Sequence, residues 1–412
     1  MANSKFIVEG LAGKKTLQGE VQIKGAKNGA LPALAASVLF EDEVQYENLP
    51  GIEDVKRMQE LLVDIKQGNT ALRKDIAERF RASIILTGPV LAKMGSVEFP
   101  FPGGCVLGER SIDLFLHSFK AMGAEVEEEE SYFKIKAKKL KGAQIFFPFV
   151  SVTATETMML AAVLAEGVTE MHNAAMEPEI PHLAAYLNAC GAKIEGAGTS
   201  TIKITGGSLL KAEGKAYTVV PDRIEAGSFV IFAALAAKEV KVTNCVPEHI
   251  GALISILKRA GVDIEVGPDS VTVRGSKPNS EYKLTSVRTH EYPGFPTDLQ
   301  APMAVFMSQC TGEGTLLETI FDGRFRYVDD LTRMGAKMTV MNPHKILVRG
   351  PRALTRKELE GPDLRAGLAY ILAATVATGT STISNAYVVD RGYEKIEERL
   401  KALGLNIKRE EI

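Results

Sequence analysis

Tryptophan is absent from this chain of 412 residues, and cysteine occurs only four times. Cys105, Cys190, Cys245 and Cys310 stand far apart, with no CxxC and no Cys/His cluster. That spacing excludes a disulfide framework or a structural zinc site and fits a reducing cytoplasm. His117, His172, His182, His249, His290 and His344 form no HExxH and no triad-like pattern, and read as structural residues. No Walker A and no GxGxxG follows a candidate strand, so no cofactor is expected. The apolar runs are broken by charge, Gly or Pro before they reach membrane-spanning length. MANSKFIVEGLAGKK has no apolar stretch of the kind a signal peptide needs, so none is expected. The formal net charge of −2 speaks against a dedicated nucleic-acid partner.

What is plentiful is glycine, with 37 residues, and a repeated pattern. An apolar helix that ends in Gly-Ala-x-apolar or a close variant, and leads into a strand, occurs at Gly123, Gly191, Gly261, Gly335 and Gly404, at intervals of 68 to 74 residues. Glycine at a helix C-terminus takes the positive φ that other residues resist. A second, small-residue apolar helix recurs at Gly29 to Leu39, Arg81 to Met94, Thr155 to Glu166, Glu225 to Lys238, Asp298 to Cys310 and Asp363 to Thr378. Helices apolar on several faces pack inside a domain. Six α+β units follow, and a chain of 412 residues is too long for one ordinary core. The division predicted is three plus three. The first unit looks truncated, because only QGNTALRKDIAE separates its helix, ending near Ile65 without a Gly-Ala turn, from Arg81. One domain is placed at 20–220 and the other at 1–19 plus 221–412, with the strand near Lys5 to Glu9 crossing to the C-terminal domain.

Polar residues gather just before the six apolar helices. They are Lys27-Asn28, Arg81, the Ser151 to Thr155 run, Asp222-Arg223, Asp298 and Asp363-Leu364-Arg365. The aspartates suit N-caps. Cations there oppose the helix dipole, so a ligand rich in negative charge is the better explanation for Lys27, Arg81, Arg223 and Arg365, with Arg391 as a further candidate. Between Phe101 and Phe115 the sequence FPGGCVLGERSIDLF demands a loop and puts Cys105, Arg110 and Asp113 close in sequence. Positive charge near a thiol favours thiolate, so Cys105 is a candidate nucleophile or proton donor.

IKGAKNGALPALAASVL, PGGCVLGER, NAAMEPEI, VPDRIEAGS, GFPTDLQA, GPDLRAG and VDRGYEKIEERLKALG are in sequence order, from about Leu17 to Ile407, and together resemble the enolpyruvyl transferases, above all those that use a nucleotide sugar. The resemblance implies an α/β fold of two domains, an inside-out α/β barrel with six βαβαββ-type units in pseudo-threefold sets of three and the active site in the cleft between the domains. The implied reaction moves enolpyruvyl from phosphoenolpyruvate to the 3′-hydroxyl of UDP-N-acetylglucosamine and releases phosphate, in the first committed step of peptidoglycan synthesis. By the same resemblance Cys105 is the general acid, able to form an adduct with phosphoenolpyruvate. Lys27, Arg110, Arg365 and Arg391 form the cationic cage, and Asp298 is the candidate base. Asn28, Arg81, the run Arg110, Ser111, Ile112, Asp113 and Leu114, then Val150, Ser151, Val152 and Ile320, match nucleotide-sugar contacts. Asp222 and Asp363 match structural or positioning acids, and with their neighbours Arg223 and Leu364 they are counted among the substrate-binding residues. Phe115, Met176 and Phe149 depart from the pattern by removing polar or positive character on the acceptor side. Two other readings stand beside this one. The acceptor is another nucleotide or shikimate 3-phosphate, or the protein is a silent nucleotide-sugar binder.

Overall fold

The computed structural model describes residues 4–78, 80–101 and 112–411. Cys105, Arg110 and Ser111 lie outside the described residues. The chain forms two compact units, one of residues 4–24 and 221–411 (the C-terminal unit), the other of the described residues between 25 and 220 (the N-terminal unit). Each has its own hydrophobic core. The expected boundary at residue 20 falls inside the strand Leu17–Gln22, which pairs in parallel with Ala237–Thr243, so the division lies at 24/25 instead.

The inner elements are the small-residue helices. In the C-terminal unit they are Arg223–Ala236, Gln300–Gln309 and Leu364–Val376. Every residue of the first two is buried, as is every residue of the third after Leu364. A helix apolar on all sides cannot lie at a surface, and these three pack against one another with sheets outside them. The N-terminal unit repeats the plan, with Val152–Ala162 packed on Lys27–Ala36 and on Thr87–Met94.

Each complete sheet has one order: a parallel edge strand, a central strand, then two antiparallel strands. Val287–Arg288, Gly312–Leu317, Lys345–Gly350 and Lys337–Asn342 follow it, as do Gln144–Phe146, Val168–His172, Thr201–Thr205 and Ile194–Glu195. In the sixth repeat the third position is filled by Ser4–Glu9, paired with Thr380–Ser384 and Ile407–Glu411. The start of the chain thus completes the last repeat.

Five outer helices end in one turn. The glycines at 123, 191, 261, 335 and 404 have φ between 83° and 113°. In each turn the N–H after glycine bonds a carbonyl five residues back, as from Ala124 to Phe119 and from Leu405 to Leu400, at 3.0 and 3.1 Å. The first repeat makes the same turn, which the sequence reading missed. Its outer helix runs on to Lys66, Gly68 has φ 92°, and the Asn69 N–H bonds the Asp64 carbonyl at 3.2 Å. What this repeat lacks is the antiparallel pair. After the turn, Ala71 bridges Glu98 of the second repeat's sheet, and only Gln45–Glu47 paired with Ala216–Thr218 represents the first repeat.

Candidate active site

The polar residues predicted before the inner helices divide into three structural roles. Asp222 and Asp363 are N-caps. Asp222 Oδ1 accepts from the N–H groups of Ile224 and Glu225 at 2.8 and 3.0 Å, and Asp363 Oδ1 from those of Arg365 and Ala366 at the same distances. Ser151 caps Val152–Ala162 through the Ala154 N–H at 3.3 Å, with Val150 half-buried before it. Lys27 opens its helix and is paired with the buried Asp54, which compensates a cation placed against the helix dipole. Asn28 follows it, half-buried, and Arg81 opens the 3₁₀ turn Arg81–Leu86.

Asp298 has the third role. It sits in the turn Thr297–Leu299 and caps nothing; its two oxygens are gripped by arginines. Arg365 Nη2 donates to Oδ2 at 2.8 Å and Arg324 Nη2 to Oδ1 at 2.7 Å. Both guanidinium groups are buried, while a quarter of the Asp298 side chain remains open. Burial alone pushes this carboxyl up, but the adjoining Arg365 and Arg324 charges outweigh burial and hold it well below the usual carboxylate range. Arg365 also donates from Nη1 to the Tyr393 hydroxyl at 3.0 Å. Arg324 donates from Nη1 to Thr297 Oγ1 at 2.6 Å.

Behind this pair lies Glu318, fully buried yet satisfied. Its Oε1 accepts from the N–H of Ile320 at 2.8 Å and its Oε2 from Thr297 Oγ1 at 2.7 Å and Gln300 Nε2 at 3.2 Å. One carboxylate therefore fixes both the Ile320 backbone and the turn that carries Asp298. Arg391 follows the short helix Tyr387–Asp390, and Arg223 lies buried with its guanidinium 5.7 Å from the Tyr292 ring centre. Ile112 and Leu114 are buried at the start of Asp113–Ala121, whereas Asp113 is exposed.

A family model for EPSP synthase (3-phosphoshikimate 1-carboxyvinyltransferase) matches residues 11–400. The chain belongs to the EPSP synthase family. It is an enolpyruvyl transferase. UDP-N-acetylglucosamine 1-carboxyvinyltransferase 1 of Caldanaerobacter subterraneus subsp. tengcongensis is 43 % identical, with 98 % of this chain and 99 % of that protein covered. The enzyme of that name from Solibacter usitatus is 40 % identical, with 99 % of this chain and 100 % of that protein covered. Among solved structures, the enolpyruvyl transferase NikO from Streptomyces tendae superposes with a TM-score of 0.86 at 21 % identity, 100 % of each chain being covered. EPSP synthase from Acinetobacter baumannii gives 0.72 at 20 % identity over 99 % of this chain and 100 % of that one. These two likenesses establish the inside-out α/β barrel.

In this enolpyruvyl transferase Phe115 is a core side chain, 3 % exposed, and Met176 is half-buried. Phe149 by contrast is 57 % exposed. The sequence reading missed Asp54, Arg324, Glu318 and Tyr393. Asp54 had a usable signal, because it falls on the apolar stripe of its helix with Met58, Leu61 and Leu62. The other three had none, since long-range pairing is what gives them their place.

Proposed function

We propose that the protein transfers enolpyruvyl from phosphoenolpyruvate to the 3′-hydroxyl of UDP-N-acetylglucosamine and releases phosphate, the first committed step of peptidoglycan synthesis in the cytoplasm. The observation that carries this reading is Asp298 held between Arg365 and Arg324, an anion site with a carboxylate in it. The acceptor follows from the relatives named UDP-N-acetylglucosamine 1-carboxyvinyltransferase, at 40–43 % identity over nearly the whole chain, against 20 % for the solved EPSP synthase. Lys27, Arg110, Arg365 and Arg391 neutralise the donor's phosphate and carboxylate. Cys105 supplies a proton to C3 while the acceptor oxygen bonds C2, and Asp298 takes the hydroxyl proton. Loss of the C3 proton and of phosphate then restores the enol ether. Asn28, Arg81, Ser111 to Leu114, Val150 to Val152 and Ile320 hold the acceptor, and Asp222 and Asp363 keep the helix starts in place. Arginines aimed at developing charge supply the main stabilisation.

The test is phosphate release from phosphoenolpyruvate with a panel of acceptors. UDP-N-acetylglucosamine supports turnover and shikimate 3-phosphate does not. Turnover with shikimate 3-phosphate or a plain nucleotide alone rejects this acceptor, and binding without turnover on any acceptor makes the protein a sensor.

A further inference from the structure

We propose that Tyr393 is a positioning residue for Arg365, with its phenolic oxygen turned toward that guanidinium by Ser228. The proposal rests on the reading above, in which Arg365 holds the donor's anion.

The direction of the hydrogen bonds can be worked out. Ser228 Oγ has one hydrogen, and its 2.7 Å contact with the Ile224 carbonyl uses it. The 2.9 Å contact between Ser228 Oγ and the Tyr393 hydroxyl must then run from the phenol to the serine. With its own hydrogen spent, the phenolic oxygen has only lone pairs to offer, and Arg365 Nη1 donates to it at 3.0 Å. Tyr393 and Ser228 are buried, so water does not compete for these groups.

A guanidinium is planar and carries five N–H donors. Arg365 is anchored at one nitrogen by Asp298 and at the other by Tyr393. Two anchors on two nitrogens fix the plane and so the directions of the remaining donors. The anchors differ in kind. Asp298 compensates the charge, whereas the phenol does not. Burial pushes the Tyr393 phenol up, so it stays neutral and leaves the arginine cationic toward an incoming anion. The turn that carries Tyr393 is tight. A Cβ on Gly392 would meet Leu364 Cδ2 at 2.8 Å, and the Tyr393 N–H bonds the Val389 carbonyl at 3.0 Å. Ser228 lies on the inner helix Arg223–Ala236 and Arg365 on Leu364–Val376, so the phenol ties two repeats together at the site.

Tyr393→Phe removes one oxygen and keeps the ring. Calorimetric binding of phosphoenolpyruvate should weaken at least about tenfold, and its KM should rise alike, while KM for the acceptor moves less than about twofold. Ser228→Ala frees the phenol to turn and should weaken donor binding to a lesser degree. Ser228→Thr keeps the hydroxyl and should restore it. An unchanged donor affinity in Tyr393→Phe, an equal rise in both KM values, or a fall in kcat alone overturns the proposal. If Tyr393→Phe fails to fold, the Ser228→Ala and Ser228→Thr pair decides by the same measures. Donor binding is measured without turnover. A wild type that binds phosphoenolpyruvate yet turns over no acceptor therefore defeats the functional reading and leaves this comparison intact.

Discussion

Asp298 Oδ2 takes a 2.8 Å hydrogen bond from Nη2 of Arg365, which lies 67 positions further along the chain. Arg324 holds the other oxygen, so the candidate base is pinned by two cations. A carboxylate so held is a weak base. On the proposed mechanism, Asp298 gains basicity when the donor's anion neutralises part of the Arg365 charge. Donor binding then prepares the acceptor's deprotonation, which orders the two halves of the reaction.

That arrangement gives a pH prediction. The folded-state pKa of Asp298 is depressed, so its stabilising contribution is present above the ordinary carboxylate pKa and is lost only as pH falls through the depressed value. Free enzyme should therefore show no acidic limb from Asp298 in kcat/KM for phosphoenolpyruvate down to about pH 5. Asp298→Asn should lose turnover by at least about a hundredfold at every pH, with a parallel profile. An acidic limb between about pH 5 and 7 that is present in the wild type and absent from Asp298→Asn contradicts the pinning.

The six-fold repetition was legible because it rests on local chemistry: glycine where φ is positive, and small apolar residues where helices are enclosed. The N-caps Asp222 and Asp363 were legible for the same reason. The Gly68 turn was not, because Asn69 stands where the other repeats carry Ala, Val or Leu. Arg324 and Tyr393 were hidden for a different reason. Their meaning comes from partners 26 and 28 residues away, and no periodicity encodes such a pair. Asp298 was found, but as a residue opening a helix, and its pairing with Arg324 was not.

The thiols offer a selective test of the proposed acid. Cys190, Cys245 and Cys310 are all buried. Burial pushes Cys245 up to about 11 and Cys310 to about 12, and raises Cys190 as well. None of the three offers thiolate near neutral pH. A small phosphonate epoxide should therefore add once, at Cys105, and excess phosphoenolpyruvate should suppress it in intact-mass analysis. Cys105→Ser should lose both the adduct and most turnover, and Cys105→Asp should keep more turnover than Ser, since a carboxyl can donate a proton. Labelling at Cys190, Cys245 or Cys310, or wild-type turnover by Cys105→Ser, removes the loop from the chemistry.

Glu156 carries a stability prediction. It is buried within the inner helix Val152–Ala162, and its Oε1 has no hydrogen-bond partner among the described residues. Burial pushes its carboxyl well above the usual range, and the neighbouring Glu179 and Glu177 add to the shift. A raised carboxyl penalises the folded state increasingly as pH climbs above the unfolded-state pKa. Glu156→Gln cannot ionise, so it should be more stable than the wild type near pH 8, by about 1–3 kcal/mol on the scale of a poorly satisfied buried group. The difference should shrink toward about pH 4, where both side chains are neutral. Urea unfolding at the two pH values measures it, and a gain of equal size at both would mean that Glu156 does not titrate in this range.

Gly68 closes the one outer-helix turn that the sequence pattern concealed. Its φ is 92°, and a Cβ placed there would meet nothing within 4 Å. Any cost of Gly68→Ala is then backbone strain without a clash. Holding an L-residue in the left-handed region costs roughly 1–2 kcal/mol, so the variant should unfold at lower urea by that amount. Gly207 is the matched control, because a Cβ there is equally unobstructed and its φ lies outside the left-handed range. Gly207→Ala should be neutral or stabilising by up to about 1 kcal/mol, through the reduced freedom of the unfolded chain. Equal stability of the two variants would show that the Gly68 turn relaxes out of the left-handed conformation. The first repeat would then end its helix differently from the other five.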